Sequence, residues 1–146
     1  MLKISQFEYN AIRRHGEETY PHECCGVLLG SSDGETRSVT KTVRCGNTRS
    51  DSPHNRYHIA PQELVRIQRQ AREAGLEIVG FYHSHPDHPA RPSQYDLDHA
   101  LPFFSYVIIS VASGTPGDVR SWRLRDDRSA FDEEVLVNLQ SSIVNP

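Results

Sequence analysis

The chain has 146 residues, 36% of them hydrophobic, enough to bury one ordinary core without disulfide staples, and a single domain over residues 1–146 is expected. Its 16 basic and 19 acidic side chains are interspersed at a net charge of −3, which provides no basic face for nucleic acid and no polybasic arm for a membrane. No run approaches the roughly 18 apolar residues of a membrane span, and the first eight residues lack the apolar core of a secretory leader, so a cytoplasmic setting is expected.

Ser5 followed by Glu8 reads as a capping box, with Ile4 and Tyr9 as its hydrophobic staple, and predicts a first helix from about Gln6 to Glu18. Phe7, Ala11 and Ile12 form its expected buried stripe. Cys24 to Leu29 is a short apolar run closed by Gly30 and the turn cluster Ser31 to Gly34, the pattern of a buried strand entering a hairpin whose partner is Glu35 to Arg44. Cys45 to Asn55 reads as a polar loop, and Arg56 to Ile59 as a brief strand. Pro61 suits a first helical position, and Leu64, Ile67, Ala71 and Ala74 recur at helical spacing before Gly75, which predicts a second helix.

Leu76 to His85 is then a strand that Pro86 is expected to end. A short helix follows over Ser93 to about Ala100, and a central strand over Tyr106 to Val111. Gly114, Pro116 and Gly117 suggest a turn, Val119 to Arg125 a further strand, and Phe131 to Leu139 either strand or helix. Helices interspersed with strands and an early hairpin indicate a mixed α/β (α+β) domain with a largely antiparallel sheet. Cys24, Cys25 and Cys45 are odd in number and form no C-x-x-C pair, so they read as reduced thiols.

The chemistry concentrates between Gly80 and Asp96. His83 and His85 are two apart at the end of a strand, which places both imidazoles on one face with Cα atoms about 6.6 Å apart. Ser93 and Asp96 form S-x-x-D, a cap that sets the Asp96 carboxylate in the first turn of a helix. A carboxylate there is also stabilising as a plain capping residue, a role compatible with binding a metal. Two imidazoles and one carboxylate leave a tetrahedral Zn²⁺ one open position, the arrangement of a catalytic zinc. His83 to His88 also spells H-x-H-x-D-H, a two-metal signature; that pattern needs further histidines downstream, where only His99 lies, so Asp87 and His88 are expected to be loop residues at the rim. A hydrolase needs a base besides a metal. Glu23, just before the buried strand, is one candidate, and its spacing fits a solvated loop acid equally well.

Pro21 to Gly30, taken with His83-Ser84-His85-Pro86, seven intervening residues and Ser93-Gln94-Tyr95-Asp96, resembles the JAMM (MPN-plus) metalloprotease family of short bacterial type. The segment Asn47 to Pro61, with Arg56-Tyr57, is similar as well, so the resemblance covers most of the chain. It implies an MPN-like (cytidine-deaminase-like) fold and one Zn²⁺ per chain, with His83, His85 and Asp96 as ligands, Glu23 as the general base, and Ser93 as the hydroxyl that stabilises the tetrahedral oxyanion. Ser84 receives no catalytic role. The implied substrate is a peptide or isopeptide bond after the C-terminal Gly-Gly of a ubiquitin-like sulfur-carrier protein or its conjugate, since glycine lets a backbone enter a narrow channel. The rivals are a non-catalytic binding module braced by metal, and an iron oxygenase, whose ligands usually follow another order.

Overall fold

The computed structural model describes residues 1–47 and 58–139, and eight strands and three helices lie among them. In chain order these are β1 (Leu2–Ser5), α1 (Gln6–Thr19), β2 (Cys25–Asp33), β3 (Thr36–Cys45), α2 (Pro61–Glu73), β4 (Glu77–Pro86), α3 (Gln94–His99), β5 (Ser105–Ala112), β6 (Thr115–Leu124), β7 (Phe131–Glu134) and β8 (Leu136–Leu139). One sheet holds all the strands in the order β7-β6-β5-β4-β2-β3-β1-β8. Four of its pairings are antiparallel and three parallel, so the mixed α+β class with a largely antiparallel sheet is as expected. β7 and β8 stand at opposite ends of that order yet adjoin in sequence, and the Leu2 amide donates to the Val135 carbonyl at 2.8 Å between them. The sheet therefore curls around α1, which packs against six of its strands.

Period-two alternation divides the core between the two faces. Leu28, Val79, Tyr82, Val107 and Ile109 point toward α1 and its Ile12. Val27, Leu29 and Cys25 face Ile67 and Ala71 of α2. A third cluster, Ala100, Tyr106 and Leu124 with Phe81 and Phe131, lies near α3.

The Ser5 hydroxyl accepts the Glu8 amide at 3.2 Å, but the Glu8 carboxylate turns to Thr42, accepting its amide at 2.9 Å and its hydroxyl at 2.7 Å, so the expected capping box is only half made; Pro61 opens α2, and Gly75 follows α2 at φ +73° as expected. Phe7 is a correction, being 76% exposed; the face that meets the sheet is Ile12, His15 and Gly16, because β1, which the sequence pattern did not indicate, sets the rotation of the helix that follows it. β4 ends at Pro86, one residue later than expected, because the parallel pairing with β5 includes Pro86 opposite Val111. The turn between β5 and β6 is Ser113-Gly114, and Pro116 and Gly117 already belong to β6. Phe131 to Leu139 is two strands. The expected loop and strand between Cys45 and Ile59 lie largely outside the described residues; His58 and Ile59 are in no regular element.

Candidate metal centre

β4 lies near the middle of the sheet, paired antiparallel with β2 and parallel with β5, and its C-terminal half is fully buried. Alternation turns Tyr82 and Ser84 toward α1 and His83 and His85 toward the opposite face. Gly26 is required at this point of β2: a Cβ there would stand 2.1 Å from the Tyr82 ring, whose hydroxyl meets His15 Nδ1 at 2.7 Å. Cys25 is opposite His83 in the β2/β4 register, and continuing it by two residues sets Glu23 opposite His85. The register is clasped at Cys24, whose amide donates to Ser84 Oγ at 2.8 Å and whose carbonyl accepts the Ser84 amide at 3.2 Å.

After β4 the chain is tied down residue by residue. The Asp87 amide donates to the Val111 carbonyl at 2.7 Å, and the Asp87 carboxylate accepts from Tyr20 Oη at 2.6 Å and the Ser113 amide at 2.8 Å. The carbonyls of His88, Pro89 and Ala90 accept from Ser110 Oγ (2.7 Å), His85 Nδ1 (2.9 Å) and Trp122 Nε1 (3.0 Å). This anchored loop delivers the chain to Ser93, which caps α3 with a full capping box: its hydroxyl accepts the Asp96 amide at 3.1 Å, and its own amide donates to Asp96 Oδ2 at 2.8 Å.

His83 Nε2 and His85 Nε2 come within 3.1 Å of each other, and each lies 3.3 Å from an Asp96 carboxylate oxygen. One ligand atom from each of the three residues falls within 4.8 Å of the others, and no other such cluster occurs among the described residues. The donor chemistry fits a cation. A carbonyl can only accept, so His85 carries its proton on Nδ1 toward Pro89, and the Nε2 lone pair points into the cluster. Asp87 turns away to Tyr20 and Ser113, so the two-metal signature is not assembled.

The electrostatics match this crowding. Burial pushes the His83 pKa down, against the nearby Asp96 charge. Burial acts the same way on His85, but hydrogen bonding and charge from Asp96 reverse it and raise the value. For Asp96, burial pushes upward, and the two histidines overcome it to hold the carboxyl well below the usual carboxylate range. Glu23 is only 4% exposed, and burial lifts its pKa to about 8, with Asp96 adding to the rise and His85 opposing it. The solvated loop acid that its spacing allowed is therefore not what the fold makes of it.

Two clefts open beside the cluster and share Pro92 and Tyr95. One, of about 320 Å³, is reached by His83 and Asp96 and walled by apolar groups including Phe81, Leu101, Tyr106 and Phe131. The other, of about 480 Å³, is lined by Glu23, His85, Arg91, Ser93 and Gln94. All five expected site residues thus border one centre. Alternation alone assigns Ser84 to the far face and gives no signal of its grip on Cys24; Arg91 has no spacing signal either.

The family model described as prokaryotic homologs of the JAB domain matches residues 7–125. A desampylase of Haloferax volcanii is 41% identical over 91 residues, 62% of this chain and 63% of the relative, so the chain spans less than two thirds of that relative's length. A probable TtuB-protein conjugate cleaving protease of Thermus thermophilus is 32% identical over 112 residues, 77% of this chain and 68% of the relative. The solution structure of a Desulfitobacterium hafniense protein superposes with a TM-score of 0.84 at 30% identity, covering 96% of this chain and 94% of the other.

Proposed function

Because the chain belongs to the family of prokaryotic homologs of the JAB domain, we propose that it is a zinc-dependent hydrolase of peptide or isopeptide bonds. It acts as a single cytoplasmic domain and cleaves after the C-terminal Gly-Gly of a ubiquitin-like sulfur-carrier protein. The observation that carries this reading is the convergence of His83 Nε2, His85 Nε2 and the Asp96 carboxylate beside the buried Glu23. The names of the Haloferax and Thermus relatives support a protein conjugate as the substrate class.

In this reading His83, His85 and Asp96 hold one Zn²⁺, which when bound supplies the Lewis acidity that lowers the pKa of water and polarises a carbonyl. Glu23 takes a proton from the attacking water as the water oxygen joins the carbonyl carbon, and returns it to the nitrogen as the C–N bond breaks. A carboxyl that burial holds near neutrality suits both halves of that task. The Ser93 oxygen accepts from Asp96, which leaves its O–H to donate to the developing oxyanion.

The test is native mass spectrometry combined with a cleavage assay on a Gly-Gly carrier conjugate. One zinc in the wild type, none in Asp96→Ala, and zinc retained but turnover lost in Glu23→Gln is the expected result. A chain that takes up no zinc in excess metal, or a Glu23→Gln variant that still cleaves, overturns the reading. A Glu23→Gln variant indistinguishable from a wild type that binds the carrier without cleaving it leaves the metal-braced binding module.

A further inference from the structure

The two clefts beside the cluster meet at a ridge. One reaches the centre from the side of His83 and Asp96, the other from the side of Glu23 and His85, and Pro92 and Tyr95 wall both. A scissile bond has its acyl carbon on one side and its nitrogen on the other. In the hydrolysis proposed above the nitrogen takes its proton from Glu23, so the departing amine lies in the Glu23 cleft and the acyl chain comes in through the apolar one. The bond itself then lies across the ridge, and the last residue of the acyl chain passes Tyr95.

That ridge is braced on every side the structure describes. Tyr95 immediately precedes Asp96 in the first turn of α3, whose start is fixed by the Ser93 capping box. One turn on, the His99 ring stacks on the Tyr95 ring, with centroids 4.0 Å apart and planes 24° from parallel, and His99 Nδ1 donates to the Tyr95 carbonyl at 2.8 Å. Displacing the Tyr95 ring breaks that stack. Pro92 has a fixed φ, and the Ala90 carbonyl two residues before it is held by Trp122 Nε1 at 3.0 Å. The acyl carbonyl must come down to a centre whose ligand atoms lie within 4.8 Å of one another, so the chain cannot stand off from the ridge as it crosses.

We infer that Tyr95 is a specificity-determining residue: its ring, braced by His99, excludes a Cβ from the residue just before the scissile bond and so selects an acyl chain that ends in glycine. The inference rests on the hydrolase reading, and it makes the terminal glycine a requirement of this chain's own side chains. A glycine Cα passes where a methyl group would be forced against the ring. The restriction is confined to the crossing. Beyond the ridge the apolar cleft opens to about 320 Å³ between Phe81, Leu101, Tyr106 and Phe131, which leaves room for larger apolar side chains earlier in the tail.

The test compares two isopeptide substrates, tails ending in Leu-Gly-Gly and in Leu-Gly-Ala, each joined to the ε-amine of a lysine within a peptide. Binding is measured by calorimetry on zinc-loaded Glu23→Gln, which holds substrate without consuming it, and cleavage on the wild type. The glycine tail is expected to bind and to be cleaved roughly 10- to 100-fold better, the scale of one methyl group forced into a packed site. Tyr95→Ala and Tyr95→Val should each cut that ratio by about fivefold or more, Tyr95→Phe should keep it, and His99→Ala, which removes the brace, should lower it in part. A purely structural disturbance of α3 weakens both substrates alike and leaves their ratio unmoved. A wild type that does not distinguish the two tails, or a preference that survives both Tyr95→Ala and Tyr95→Val, overturns the inference and leaves the hydrolase reading standing. Failure to bind or cleave either substrate overturns that reading as well.

Discussion

Ser84→Ala deletes one oxygen from the scaffold behind the metal centre, and its cost follows from a single bond. Ser84 is 0% exposed, and its Oγ accepts the amide of Cys24, which is also buried, at 2.8 Å. Without that oxygen a buried N–H loses its acceptor, a penalty of about 1–3 kcal/mol. Alanine is smaller than serine, and the neighbour across the interface is Gly16, so no clash adds to it. At roughly 3–4 °C per kcal/mol for a domain of this size, the melting temperature should fall by about 3–12 °C. Urea unfolding of the metal-free proteins at pH 7, fitted with a common slope, measures the same loss. Glu23 is the residue before the released amide, so the zinc-loaded variant should also turn over more slowly while keeping its zinc. A stability change below about 0.5 kcal/mol would show that the clasp between β2 and β4 does not depend on this bond.

Two further perturbations test the packing of α1. Ile12→Ala should cost about 2–5 kcal/mol and Phe7→Ser no more than about 0.5 kcal/mol, because Ile12 is fully buried and Phe7 faces solvent; comparable losses in urea unfolding would contradict the placement of that helix. His15 should make the protein acid-sensitive. Burial, aided by the Arg44 charge and opposed by Glu18, lowers its pKa from 6.5 to about 4, so the fold holds it neutral against Tyr82 Oη. Its contribution is complete above pH 6.5 and is lost as pH falls toward 4, where the unfolded chain binds a proton that the native chain refuses, for a total of up to about 3 kcal/mol. The slope of stability against pH between 6.5 and 4 should be shallower in His15→Gln, and identical slopes would refute the assignment.

The candidate metal site and the cap that positions it were legible because they are local. His83, His85, Ser93 and Asp96 lie within fourteen residues, so strand alternation and one capping box are enough to bring them together. Helices α1 and α2 were legible for the same reason: caps, a proline at the first helical position and a terminal glycine act over a single turn. What escaped depends on contacts distant in sequence. β1 is four residues whose strand character comes from β3 on one side and β8 on the other. Phe7 looks like core until β1 fixes which face of α1 meets the sheet.

The placement of Glu23, the proposed base, depends most on distance of this kind. Glu23 is sixty residues from His83, and no spacing rule links them; what joins them is the antiparallel register of β2 on β4. Side-chain direction alternates with every residue of a strand, so a slip of one position would turn Glu23 away from His85 and bring Cys24 into its place. The Ser84 hydroxyl bonds the amide between those two residues, on the sheet face opposite the histidines. Alternation reads Ser84 as a spacer between two ligands. In the folded chain it is the residue by which β4, which carries both histidines, holds the Glu23 carboxyl, two residues ahead of β2, in register with them.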